Sequence, residues 1–303
     1  MFLGGNMNTK ELIQKQMEEI YASGKYKIVD LSFFESVKDL KVSGDVLEEE
    51  KYFLEAYREY LENIKTLPKE LQPLFLETLK HDEIVANHTL EKINPFVISM
   101  YMHAKSKPAL DKLLETKDSL TSLDFQRLHR RLLDKTPSGE NNLEYRMENT
   151  TFVGDFLPGG ERQIDYLPID YKLIPEAVSK LLELYNQRPD NIELAFLKPL
   201  IIHGLIAGLQ IFKDGNTRFG RMLQYVSLYN STVNFIDSSL PSPALYASKT
   251  YYPMREKYRR LIHELALGND SDIWNKWFIF NYHRFEDQIM VNEQNIKSLK
   301  MIL

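Results

Sequence analysis

The sequence predicts an all-α fold, a helical bundle carrying one β-hairpin, with an N-terminal helical extension. Three observations carry that prediction. Apolar residues recur at three- and four-residue spacing through most of the chain. Only one stretch, near residues 149–169, has β-branched and aromatic patterning around a turn. Clusters of Pro, Gly, Ser and Asn separate the periodic runs, with no internal repeat or low-complexity tract. With 303 residues, 43% of them hydrophobic, the chain can bury one large core or two small ones. We divide it into an extension, 1–90, packed on a core domain, 91–303.

Taken in order, residues 9–22 and 46–64 read as amphipathic helices, and in the second Phe53, Tyr57, Tyr60, Leu61 and Ile64 share one face. Between them YKIVDLSFF, 26–34, is a short mixed run, a strand or an extended loop. Pro68 and Pro73 punctuate the next connection. Residues 74–90 read as helical, and Asn94-Pro95 begins a helix through Met102. Ser122 or Asp124 caps the helix that holds Leu128, Leu132 and Leu133 and ends near Ser138-Gly139. The hairpin joins 150–153 to Ile164, Tyr166 and Leu167 through a Pro158-Gly159-Gly160 turn. Helices follow over 174–186, 192–209, 218–229, 244–267 and 273–288, with breaks at Ser242-Pro243 and Gly268-Asn269-Asp270.

Composition removes several function classes. The chain has no cysteine, which excludes disulfides, thiolate metal sites and a cysteine nucleophile, and suits a reducing compartment. The N-terminal apolar run is too short for a signal peptide, and no stretch reaches the ~20 apolar residues of a membrane helix. The expectation is a cytoplasmic protein without a membrane partner. A net charge of −5 gives no global attraction to nucleic acid. The basic runs RLHRR, 127–131, and MREKYRR, 254–260, read as solvated helix faces.

The most informative run is QIFKDGNTRFGR, 210–221. It reads as the end of one apolar helix, a tight turn at Asp214-Gly215-Asn216, and the start of another helix. Gly and Asn tolerate positive φ, so successive N–H groups can converge on an anion at the positive end of the second helix. Arg218 and Arg221 lie on one face of that helix and can donate bidentate bonds to phosphate. Asp214 offers a hard oxygen for Mg²⁺. Ile211 and Phe212 anchor the turn. A DG turn before a basic helix is also an ordinary corner between helices, so the run alone leaves both readings open.

The run resembles the signature of the Fic (fido) family, His-x-Phe-x-(Asp/Glu)-Gly-Asn-Gly-Arg-x-x-Arg, in which the leading His is the general base. Phe212, Asp214, Gly215, Asn216, Arg218 and Arg221 agree with it; Thr217 replaces Gly, and Gln210 replaces the His. His203 stands where family members often carry a second His. NLEYRMENTTFVGD, 142–155, resembles the sequence leading into the family's flap. PALYASKTYYPMREKYRRLIHELALGND and IWNKWF, from residue 243 on, resemble the helices after the signature. The similarity spans about 90–290.

The resemblance implies a Fic-fold bundle whose hairpin is a flap, and transfer of AMP from ATP to a protein hydroxyl. Asp214 would hold Mg²⁺; Gly215, Asn216 and Thr217 would bind phosphate; Arg218 and Arg221 would clamp the outer phosphates. Gln210 would face the attacking hydroxyl, and a carboxamide takes up no proton near neutral pH. Loss of a general base costs about 10²–10⁴ in rate. A nucleotide-binding or regulatory pseudoenzyme is therefore expected, with a transferase of altered chemistry as the alternative. His203, about 10 Å along the helix from Gln210, reads as a structural histidine rather than a relocated base. The flap residues Thr151, Phe152 and Val153 would dock a segment of a target or regulatory protein by strand addition. Some family members carry an inhibitory helix, Ser/Thr-x-x-x-Glu-Gly/Asn, whose Glu engages the second Arg. The best counterpart is HDEIVAN, 81–87, with Val85 in place of the Glu and His81 in place of the hydroxyl. DNA binding is not expected, because about fifteen residues after 288 are too few for a winged-helix module.

Overall fold

Helical periodicity dominates the sequence, and the computed structural model follows it over the residues it describes: 9–38, 40–91, 106–115, 119–133, 144–156, 158 and 161–302. The elements are α1 (Thr9–Ala22), α2 (Ser32–Lys38), α3 (Gly44–Lys65), α4 (Leu71–Thr89), α5 (Ser106–Glu115), α6 (Ser122–Leu133), β1 (Val153–Phe156), β2 (Arg162–Tyr166), α7 (Ile174–Asn186), α8 (Ile192–Leu209), α9 (Asn216–Phe235), α10 (Ser248–Tyr251), α11 (Arg255–Leu267) and α12 (Ile273–Ile302). The expected helix from Asn94-Pro95 to Met102, the helix end at Ser138-Gly139 and the Gly159-Gly160 part of the hairpin turn lie outside the described residues.

Several boundaries differ from expectation for identifiable reasons. The 26–34 run is half extended and half helical: Ile28 bridges Leu167 in parallel fashion, then α2 begins, with Asp30 accepting from the Ser32 N–H at 2.8 Å. The cap of α6 is Thr121, which shares reciprocal hydrogen bonds with Asp124 in a capping box. The run 244–267 is not one helix. Pro253 lacks an N–H and restricts Tyr252, so α10 gives way to a 3₁₀ turn, Tyr252–Met254, before α11. At the start of α10, buried Glu83 of α4 accepts from the Ser248 N–H at 3.1 Å and the Ser248 hydroxyl at 2.5 Å. The last helix runs on to Ile302, because Ile289, Asn292 and Ile296 continue its buried face.

α8 is apolar on every side and is correspondingly the central core helix. By length and composition alone it could cross a membrane, contrary to the sequence expectation. Here it packs against α7, α9, α11 and α12, as the core helix of a folded domain does. Asn191 caps its start, accepting from the Leu194 N–H at 2.8 Å. α9 lies alongside at close range, since a Cβ at Gly220 would stand 3.0 Å from the His203 ring. α12 runs along α3 through Tyr282 to Glu50 at 3.1 Å and Asn292 to the Tyr60 hydroxyl at 3.0 Å.

β1 and β2 form an antiparallel hairpin with Val153 opposite Tyr166 and an irregularity after Val153. The strand begins at Val153 rather than at 150. Thr151 precedes it, and its carbonyl accepts from the Tyr21 hydroxyl of α1 at 3.2 Å. The hairpin leans on α11 through an ion pair of Asp155 with Arg259 at 3.3 Å and through Asp165, 3.0 Å from the His263 ring nitrogen.

Candidate functional site

The 210–221 run forms the predicted corner between α8 and α9. Gln210 ends α8 in the left-handed region, with φ 54°, and its N–H reaches the Ile206 carbonyl at 3.3 Å. Ile211 and Phe212 are buried, and Phe212 stacks on the His129 ring at 3.6 Å. Gly215 has φ 77°, and a Cβ there would stand 2.8 Å from Leu133, so glycine is required both by conformation and by space.

Two of the expected ligand groups instead hold the corner together. The Asn216 amide accepts from the Phe212 N–H and donates to the Phe212 carbonyl, both at 2.9 Å. It also donates to the Gln210 Oε1 at 2.9 Å, while the Gln210 Nε2 donates to the Ala207 carbonyl at 2.6 Å. Gln210 thus spends both ends of its carboxamide on the last turn of α8 and on Asn216. Sequence reasoning missed Arg146, which is fully buried. Its Nε donates to the Gln210 carbonyl at 2.7 Å, and its N–H donates to the Ile211 carbonyl at 3.0 Å. Arg146 sits inside the flap-leading segment, where Glu144, Glu148 and Asn149 stand close by in sequence and nothing in the pattern marks it as buried.

The arginines are covered by this chain's own carboxylates. Arg221, 0% exposed, donates from Nη2 to Glu91 at 2.8 Å, from Nε to Asn87 at 2.7 Å and from Nη1 to the Tyr258 hydroxyl at 2.9 Å. Glu91 follows α4, and its Oε1 also accepts from the Thr217 hydroxyl at 2.9 Å. Burial works against ionisation of Glu91, but attraction and hydrogen bonding from Arg221 outweigh it and hold the carboxyl below its ordinary range. Arg218, 2% exposed, donates to Asp214 at 3.1 Å, and its Nε and Nη1 have no partner among the described residues. Asp214 Oδ1 accepts from the Gly215 N–H at 2.6 Å. The carboxylate that would hold Mg²⁺ is thus engaged with Arg218; it fits a hard cation once it swings away from that buried arginine.

The inhibitory-helix expectation needs correction. His81 and Val85 line an open groove on the outer face of α4 and do not approach Arg221. The residue on Arg221 is Glu91, six positions later. The spacing Asn87-x-x-x-Glu91 preserves the interval of the inhibitory motif, with Asn in place of the hydroxyl residue, and that interval was legible in the sequence.

His203 is fully buried, hydrogen-bonded to Gln224 and, at 2.7 Å, to the Tyr258 hydroxyl. Burial, aided by Arg221, pushes its pKa well below the ordinary value, so it sits as a neutral support behind Arg221. A cavity of about 180 Å³ opens between the hairpin, α11 and the 214–217 turn, with Glu91 and Gln210 in its wall. Arg218 and Arg221 do not line it, whereas Arg255 and Arg259 do. Its volume is below that of ordinary small-molecule sites, in keeping with a closed state. A larger hollow, about 260 Å³, lies near Lys198, away from the turn, where the lysine caps the end of α7 through the Tyr185 carbonyl at 2.7 Å.

Residues 119–228 match the description of the Fic/DOC family. No curated protein matches the sequence. Among solved structures, a Fic family protein from Desulfovibrio desulfuricans G20 superposes with a TM-score of 0.62 at 15% identity, over 84% of this chain and 76% of that one. A Fic domain containing signaling protein from Bacteroides thetaiotaomicron VPI-5482 gives 0.55 at 15% identity, over 81% and 97%. Fic-1 from C. elegans, residues 134–508, gives 0.53 at 15% identity, over 82% and 72%. At such identities the likeness shows the fold.

Proposed function

We propose, from the premise that this chain belongs to the Fic/DOC family over residues 119–228, that it is a nucleotide-binding protein held in a phosphate-occluded state. The observation that carries this is Arg218, buried with two guanidinium donors unpaired. Buried donors left without acceptors are costly even in a guanidinium whose charge Asp214 balances, and an arriving anion would satisfy them. The first N–H groups of α9 have no intrahelical partner, and the turn residues that carry them line the cavity.

Binding of ATP requires two exchanges. Glu91 must leave Arg221, and Asp214 must leave Arg218 to hold Mg²⁺, which supplies charge neutralisation on the phosphates. The partly exposed Glu91 and Asp214 are the movable members of these pairs, because both arginines are fixed in the core. Gln210 can accept a hydrogen bond from an attacking hydroxyl but cannot remove its proton, and its amide is already tied to Asn216 and Ala207. AMP transfer through residue 210 is therefore lost, and nucleotide binding with a regulatory role remains. A partner segment would add to the outer edge of β1 at Val153, while Thr151 is engaged by α1 and Phe152 lies outside the strand.

Titration calorimetry with ATP and Mg²⁺ tests this on wild type, Glu91→Ala and the double variant Glu91→Ala with Arg218→Ala. Binding should strengthen on loss of Glu91 and vanish on loss of Arg218. Heat-silent titrations of all three folded proteins would remove the nucleotide reading.

A further inference from the structure

The cavity that contains Gln210 also contains His263, on the face of α11 that meets the hairpin. His263 Nδ1 lies 3.0 Å from Asp165 Oδ2, a contact that favours the tautomer with its proton on Nδ1 and its lone pair on Nε2. Nε2 makes no hydrogen bond among the described residues. Tyr166 meets the ring edge to face at 5.6 Å and limits its rotation.

Each other titratable group in the cavity wall is committed or has the wrong pKa. Glu91 is spent on Arg221 and Thr217, and Asp214 on Arg218. Burial raises the Tyr166 and Tyr258 hydroxyls far above neutrality. Arg255 and Arg259 offer hydrogen-bond donors only. Around His263, burial lowers the pKa, Asp165 on β2 and Asp155 on β1 oppose that, and Arg259 adds to it; the net value lies below the ordinary one. The imidazole is neutral at pH 7 and free to take a proton.

We infer that His263, oriented by Asp165, is the proton acceptor of this cavity, replacing at a different position the base absent at Gln210. This rests on the nucleotide-binding reading. The oxygen of a hydroxyl or water bonds to the α-phosphorus of a nucleoside triphosphate, and the bond from that phosphorus to the bridging oxygen breaks. The electron pair leaves with pyrophosphate. The nucleophile's proton passes to His263 Nε2, and the Asp165 carboxylate stabilises the imidazolium.

The test is release of pyrophosphate from Mg²⁺-ATP by the full chain carrying Glu91→Ala, alone and combined with His263→Gln or Asp165→Asn. Calorimetric affinity and thermal melting are measured on each protein. The expected result is turnover in the Glu91→Ala protein that rises with pH through a limb below 6.5 and then levels. His263→Gln should abolish that limb and lower the rate about 10²-fold or more. Asp165→Asn should move the limb to lower pH, because it removes the carboxylate that favours the imidazolium. ATP binding with no turnover, or turnover unchanged in both histidine-pair variants, overturns the inference alone. Absence of ATP binding to Glu91→Ala overturns the nucleotide reading and the inference with it. If His263→Gln does not fold, the Asp165→Asn pH profile decides.

Discussion

Arg221 and Glu91 are joined at 2.8 Å with the arginine wholly buried, and Thr217, standing where the family has glycine, donates to the same carboxylate oxygen. A phosphate and this carboxylate compete for one guanidinium, since two anions cannot share it without mutual repulsion. The residue that departs from the signature at 217 thus helps to hold Glu91 on Arg221.

Removing Glu91 leaves Arg221 without its counter-charge. Glu91→Ala should lose about 2–4 kcal/mol of stability, toward the lower part of the range for broken ion pairs because Glu91 is partly exposed. Urea unfolding measures the loss, and Mg²⁺-ATP should restore part of it in the variant but little in wild type.

Thr217→Gly restores the family residue and deletes one donor to Glu91. One hydrogen bond is worth about 0.5–1.5 kcal/mol, so ATP affinity should rise by a factor of about 2–10. An unchanged or weakened affinity in calorimetry would show that Thr217 does not hold Glu91 in place.

Gln210→His supplies a base at the family position. His tolerates the left-handed backbone at 210 at least as well as Gln, but it breaks the amide bonds to Ala207 and Asn216. In the Glu91→Ala background, self-modification with AMP should increase by about 10²–10⁴, at a stability cost of about 1–3 kcal/mol. Intact mass and unfolding curves read the two effects separately.

What could be read from the sequence divides along a physical line. The all-round apolar pattern of 192–209 and the Gly215 turn specify local structure, and both appear where expected, because side-chain periodicity and φ requirements are local properties. The Glu91–Arg221 pair joins residues 130 apart, and nothing in either segment's periodicity encodes it. Arg146 was hidden in the same way, as a long-range pin on the Gln210 carbonyl. Asn216 was identified as important, but for a ligand; its amide closes the turn. The 30-residue length of α12 was missed because Asn292 reads as polar, although it bonds to buried Tyr60.

Buried Glu83 gives a pH signature. Burial pushes its carboxyl up to about 8, against the opposing Ser248 hydrogen bonds and Arg221. A carboxyl whose folded pKa is raised binds its proton more tightly in the folded state, so this contribution is largest below about 4.3 and is lost as pH rises toward 8. Wild type should lose stability relative to Glu83→Gln between pH 5.5 and 7.5, by up to about 1.4 kcal/mol per pH unit. Comparing the two proteins cancels the opposite trend from His88 and His203, both held neutral by burial. Parallel stability curves would mean that Glu83 is ionised in the fold.

The most direct measurement is the Mg²⁺-ATP dissociation constant of wild type beside that of Glu91→Ala, both confirmed folded by melting. An occluded phosphate site predicts at least about tenfold tighter binding in the variant, abolished again by adding Arg218→Ala. Equal affinities in wild type and Glu91→Ala, or binding that survives the loss of Arg218, would contradict it.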